Sequence, residues 1–201
     1  MAEKLYVTGG FKAILYPTYE SLGGITEELA ERFRTVRGLE IRQLFDDNEE
    51  VPVGVREPAI ALVGTKEIIR RSWPADNELG GVLDAVEEYY PYVTEPSTVT
   101  FADIDFNPGR DGEGFVLLVP EQADSRMLSA TRSAILEGAE RATGAEPHTW
   151  RAGHLDLTIA YANSSVSDLT LGHLTDHLAS LLPLDVEFHP VEFTPDPRYD
   201  D

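Results

Sequence analysis

The order strand, helix, strand, helix, strand runs twice along this chain, and that repetition constrains its fold more than any single motif. In the first pass, FKAILYP (11–17) is a short apolar strand stopped by proline. GITEELAERFRTVRG (24–38) carries Ile25, Leu29 and Phe33 four apart and Val36 three further on, which predicts an amphipathic helix closed by Gly38. An acidic loop (45–54) leads to a strand over 58–64. A loop over 70–77 and a helix over 78–90, stopped at Pro91, precede the alternating strand STVTFADIDF (97–106). NPGRDGEG (107–114) is a turn by composition.

The second pass opens on FVLLVP (115–120), again stopped by proline. Residues 123–144 predict a helix with Met127, Ala130, Ala134 and Ile135 on one face. HLDLTIAYA (154–162) is a strand, 169–182 a helix ending before Pro183, and LDVEFHPVEF (184–193) a strand. The two last strands share phenylalanines five apart, Phe101 with Phe106 and Phe188 with Phe193. The expectation is one α+β domain, residues 1–201, built from two similar lobes (1–108 and 109–201) with a cleft between them.

Charge limits the partners. The 201 residues include 36 Asp and Glu against 16 Lys and Arg, for a net charge of −20. Only Lys4, Lys12 and Lys66 are lysine. Such a chain repels duplex DNA. The acid is spread along the whole length, which reads as surface and not as an interaction tail. Dispersed acid with arginine preferred over lysine is the habit of proteins living in molar salt, where the Debye length falls to about 3 Å. With no cysteine there is no disulfide, thiolate metal site or cysteine nucleophile. The N-terminal stretch has no apolar signal core and no segment is apolar enough to span a bilayer, so a cytoplasmic protein without a membrane partner is expected. Asn163-Ser164-Ser165 fits a glycosylation acceptor, but nothing in the sequence routes the chain to secretion.

The strand EPAIALVG (57–64) puts alanine at both Ala59 and Ala61, the face opposite its apolar residues. This stretch and GHLDLTIAYA (153–162) resemble the two motifs of the two-histidine phosphoesterase superfamily, which includes 2′-5′ RNA ligases and cyclic nucleotide phosphodiesterases. In that family each lobe carries a His-x-Thr or His-x-Ser strand, and the two motifs face each other across the cleft. The pattern suits the chemistry: imidazole serves as acid or base near neutrality, and a hydroxyl two residues on can hold a phosphate oxygen. The resemblance implies that Ala59 stands where the family has its first histidine and Ala61 where it has the following hydroxyl. The second motif reads in two registers, His154-Leu155-Asp156 or Asp156-Leu157-Thr158, the latter keeping the family's apolar framing better.

His154, Asp156 and Thr158 are therefore the candidate catalytic residues, as a surviving half-site or as an ordinary polar strand face. Trp73 with Arg70 and Arg71, and Trp150 with Arg151, flank the motif strands. Together with Ala59 and Ala61 they are candidates for lining the cleft, since tryptophan stacks on bases and arginine forks phosphate. Their ordinary roles are to seal a lobe and to pair with acid. His173 and His177 lie four apart on a predicted helix with Asp176 nearby, a possible metal spacing, but a third ligand is not identifiable and a plain helix face is the simpler reading. No cofactor is expected: the glycine pairs at 9–10, 23–24 and 80–81 are not phosphate loops, and no Gly-x-Ser-x-Gly is present. The resemblance implies binding of an RNA end, nucleotide or other phosphorylated ligand without the standard two-histidine chemistry. An altered phosphoesterase using His154, Asp156 and Thr158, and a protein-association scaffold, are the other readings.

Overall fold

A computed structural model describes residues 10–46, 55–67, 88, 97–109, 113–143, 148–149 and 155–196. The elements follow in the order β1 (Gly10–Leu15), α1 (Tyr19–Phe33), β2 (Leu39–Ile41), β3 (Ile60–Glu67), β4 (Ser97–Pro108), β5 (Gly114–Pro120), α2 (Gln122–Thr143), β6 (His148–Thr149), β7 (Leu157–Ala162), α3 (Asp168–Ala179), β8 (Leu184–Phe188) and β9 (Glu192–Asp196). The strands make two antiparallel sheets, ordered β6-β3-β1-β9 and β2-β7-β5-β4-β8.

The order β6-β3-β1-β9 runs alongside β2-β7-β5-β4, with β8 added at the edge of the second sheet. β3-β1-β9 in one sheet matches β7-β5-β4 in the other. β4, late in the first half of the chain, lies in the second half's sheet, and β9, at the end, lies in the first half's sheet. The short strands cross over as well: β2 pairs with β7, and β6 with β3. Even the irregularities agree. β1 pairs with β3 up to Ala13↔Val63 and resumes at Ile14↔Ala61, leaving Leu62 as an extra residue. β5 pairs with β7 up to Val116↔Ala160 and resumes at Leu117↔Thr158, leaving Ile159 as the extra residue. Each bulge buries two consecutive side chains, Leu62 with Val63 and Ile159 with Ala160, where strict alternation would bury one.

Alternation elsewhere sorts core from cleft. Ala13, Leu15, Ile60, Val116, Leu118 and Leu157 are all buried in one core that both sheets share. Burying such side chains stabilises by roughly 1.5–3 kcal/mol each. α1 presents Leu22, Thr26, Leu29 and Phe33 to this core, at helical spacing. The buried Thr26 hydroxyl donates to the Gly23 carbonyl (2.9 Å) and accepts from the Leu44 N–H (3.4 Å), so its burial leaves no unmet polar atom. α2 packs on β3 and β5, and α3 on β4.

Three expectations need correction. α1 begins at Tyr19 and ends at Phe33, not 24–38, because the Gly23-Gly24 pair lies within the helix. The Tyr19 ring lies over Gly23 and occupies the space a Cβ would take. The buried face of α2 is Leu128, Ala134, Ile135 and Ala139; Met127 and Ala130 are exposed. The last strand is two strands, because the chain leaves one sheet after Phe188 and joins the other at Glu192, with His189 and Pro190 at the crossing. The short strands β2 and β6 carry no pattern long enough to read. The predicted loop at 70–77 and helix at 78–90 lie outside the described residues, apart from the helical Glu88.

Candidate functional site

Two isolated bridges join the sheets, Pro17 to Phe188 and, at the cleft, Ala59 to Thr158. Ala59 and Thr158 form an isolated antiparallel bridge in which the Thr158 N–H donates to the Ala59 carbonyl at 3.4 Å. The two motif stretches thus lie side by side at the floor of a cavity of about 660 Å³. Ala59, Ala61, Asp156 and Thr158 all line it, as alternation requires of residues whose neighbours Ile60 and Leu157 point into the core. The matching bulges set Ala61 in correspondence with Thr158, and hence Ala59 with Asp156. The bulge at Ile159 falls beyond Thr158, so it does not turn Asp156 and Thr158 to different faces. His154, Trp73, Trp150, Arg151, Arg70 and Arg71 lie outside the described residues.

The remaining walls hold residues that sequence reasoning missed. Lys12, Ile14 and Tyr16 come from β1 and its exit, Phe115 and Leu117 from β5, and Arg42, Arg56 and Glu57 from the segments after β2 and before β3. Two backbone hydrogen bonds hold the arginine segments in place. The Arg42 N–H donates to the carbonyl of the bulge residue Ile159 (2.9 Å), and the next N–H, of Gln43, donates to the Arg56 carbonyl (3.2 Å). The Arg42 guanidinium donates through Nη1 to the Glu57 carbonyl at 3.3 Å. Neither Arg42 nor Arg56 forms an ion pair with a carboxylate among the described residues. The Thr158 hydroxyl makes no hydrogen bond to a described residue.

Burial and the neighbouring Arg56 charge both lower the Arg42 pKa. At the other end, burial raises the Glu57 pKa, and Glu192 raises it further against an opposing effect from His189. Burial also raises that of Tyr16, with Glu192 and Glu57 adding to it. The cleft is thus cationic near Arg42 and Arg56 and carboxylate-rich near Glu57, with Tyr16 between. A signal for Lys12 was present in the sequence: one of three lysines interrupts the otherwise apolar FKAIL. Arg42 and Arg56 gave none, since their segments carry no periodic pattern.

The histidines of α3 have another use. His177 Nδ1 lies 2.9 Å from Arg32 Nη1, and Nε2 lies 3.3 Å from Glu28 Oε1, so this side chain bridges α3 to α1. Since guanidinium only donates, Nδ1 accepts and Nε2 carries the proton. His173 is exposed, and among the described residues no group of three or more His, Asp and Glu could hold a metal ion.

No protein-family model and no curated protein sequence matches the chain. Among solved structures it is similar to Usb1 of Kluyveromyces marxianus, with a TM-score of 0.51 and 12% identity over 92% of this chain and 93% of that one. At that identity the likeness is one of fold. The chain therefore shares a mixed α+β architecture with that structure. Among the described residues no helix is long and apolar enough to cross a membrane.

Proposed function

We propose that this chain is a two-histidine phosphoesterase homologue, duplicated over 1–108 and 109–201, whose interlobe cleft holds a phosphorylated ligand such as a nucleotide or an RNA end without two-histidine catalysis. The observation that carries this reading is the placement of charge. A chain of net charge −20 brings Lys12, Arg42 and Arg56 to one cavity, and no described carboxylate pairs with either arginine. A half-buried guanidinium, Arg42, beside the exposed cation Arg56 is costly unless an anion joins them. The Thr158 hydroxyl on the cavity floor supplies a further donor for a phosphate oxygen. Ala59 and Ala61 supply neither a proton nor a donor.

The test is calorimetric titration of a nucleoside 2′,3′-cyclic phosphate into the protein in molar salt, beside Arg56→Gln and Thr158→Val. Each substitution is expected to weaken binding about tenfold, the worth of a charge-assisted or phosphate hydrogen bond. Absence of saturable binding by the native protein would refute the proposal.

One observation favours a second reading. Asp156 stands at the position corresponding to Ala59, in the same cavity as Thr158, and could transfer a proton in an altered hydrolysis together with His154. Turnover of the cyclic phosphate that disappears in Asp156→Asn or His154→Ala would put this enzyme ahead of the binder.

A further inference from the structure

The cleft does not end at Glu57. A further cavity of about 400 Å³ continues from it, and the two share Tyr16 and Glu57. It forms where the last strands change sheets. The His189 N–H donates to the Tyr16 carbonyl (3.0 Å) and the Thr18 N–H to the Glu187 carbonyl (2.8 Å), which fastens the crossing segment to the exit of β1. Tyr19, at the start of α1, lines the cavity with its ring held over Gly23 and its hydroxyl donating to the Glu27 carboxylate. The walls of this compartment are therefore fixed by the fold itself.

Its chemistry is the reverse of the arginine end. The half-buried rings of Tyr16, Tyr19 and Phe45 line it together with the carboxylates of Glu57 and Glu192. Glu192 is the register partner of Ile14, two residues before Tyr16, so its side chain and the Tyr16 ring stand on the same face of the sheet. Among the described residues neither Glu57 nor Glu192 forms an ion pair. Arg42 donates to the Glu57 backbone carbonyl and not to the carboxylate. His189 also lines the cavity and lowers the Glu57 pKa, but burial and Glu192 outweigh it. The compartment thus holds an excess of negative charge beside aromatic rings. Ring faces attract a cation held within about 6 Å of their centres, most strongly where water is excluded. Among the described residues no group of three or more His, Asp and Glu could hold a metal ion, so rings and carboxylates in this combination suit an organic cation.

We propose that this compartment receives a substituted ammonium group, carried on the same ligand whose phosphate meets Arg42 and Arg56. Because the Arg42 guanidinium lies 3.3 Å from the Glu57 carbonyl, the two charges of such a ligand need a spacer of only a few bonds. This rests on the phosphate-binding reading proposed above, and the experiment separates the two. Phosphocholine and 3,3-dimethylbutyl phosphate, which puts carbon in place of the quaternary nitrogen and so removes only its charge, are titrated into the protein in molar salt. At that salt the Debye length is about 3 Å, so the acidic surface at large contributes little to the difference. Phosphocholine is expected to bind about tenfold more tightly, within the range of a desolvated cation–π contact. Glu192 and Phe45 line this compartment and not the arginine end. Glu192→Gln and Phe45→Leu should each cut the preference about threefold, and together bring the two affinities to within about twofold of each other. Circular dichroism confirms that each variant is folded. Should Phe45→Leu not fold, the native ratio and Glu192→Gln decide. Equal affinities in the native protein, or a preference that survives the folded variants, overturn the cation subsite and leave phosphate binding standing. Failure of both compounds to bind overturns phosphate binding itself, and the subsite with it. The same group occurs on lipids, so phosphatidylcholine vesicles are also sedimented with the protein. No co-sedimentation assigns the subsite to a soluble ester, and co-sedimentation that phosphocholine competes away assigns it to a lipid headgroup.

Discussion

Replacing Arg42 by methionine should move stability and binding in opposite directions. Methionine keeps the unbranched stem and removes the charge. Three effects then compete. The 3.3 Å hydrogen bond to the Glu57 carbonyl is lost, but it is long and its acceptor sits at the cleft, so it contributes about 0.5 kcal/mol. Repulsion from Arg56 and the cost of keeping a half-buried cation charged are both relieved. Discounted for the solvent and salt that still reach the cleft, that relief is worth roughly 1 kcal/mol. The net is a gain of about 0.5 kcal/mol, or one to two degrees in Tm for a chain of this size. Ligand affinity should fall, since a charge-assisted bond to phosphate contributes about 1.5–3 kcal/mol, a loss of tenfold to a hundredfold. Thermal unfolding and calorimetric titration of native protein and variant, in the same molar-salt buffer, measure both. A variant that is clearly less stable and binds as well as the native protein would refute the reasoning, because Arg42 would then be a structural residue.

Other outcomes follow from the same structure. Glu57 holds its proton more tightly folded than unfolded, because of burial and Glu192. Its contribution to stability is therefore present at low pH and lost as pH rises from about 4.3 through the folded value. Glu57→Gln should be the more stable form at neutral pH, by less than about 1 kcal/mol given the exposure of the group, and a pH series of unfolding midpoints checks this. Phe188 is fully buried, 6.4 Å from the Phe101 ring, and bridges to Pro17, so Phe188→Ala should cost about 3–5 kcal/mol in denaturant unfolding. With 36 acidic against 16 basic residues, transfer from molar to about 0.1 M salt should lower the thermal midpoint; an unchanged midpoint would argue against a halophilic origin.

Much of the fold was legible from local apolar patterns. The apolar alternation in FKAIL and FVLLV, and the prolines that end those strands, locate β1 and β5 to within a residue or so. The helix start at Tyr19 was not legible: two adjacent glycines look like a break, and only the Tyr19 ring lying over Gly23 shows why they are tolerated. Nor was the switch of sheets at His189-Pro190, because both flanking segments are plain β-formers and pairing partners are not local information. Ala59 and Ala61, which line the cleft, drew attention because two alanines on the polar face of a strand ask for an explanation. Arg42 and Arg56 were invisible for the opposite reason. They reach the cleft from irregular segments whose place depends on backbone hydrogen bonds to Ile159 and to each other's neighbours.

The most direct test of the central claim is a single ³¹P NMR titration of a nucleoside 2′,3′-cyclic phosphate with the native protein in molar salt, followed over hours. The cyclic phosphate resonance should shift or broaden saturably as protein is added, and no phosphomonoester resonance should grow. An unshifted, unbroadened resonance would contradict ligand binding in this cleft. Steady growth of the monoester that persists in both Asp156→Asn and His154→Ala would contradict the reading of the motif strands and place the chemistry elsewhere in the molecule.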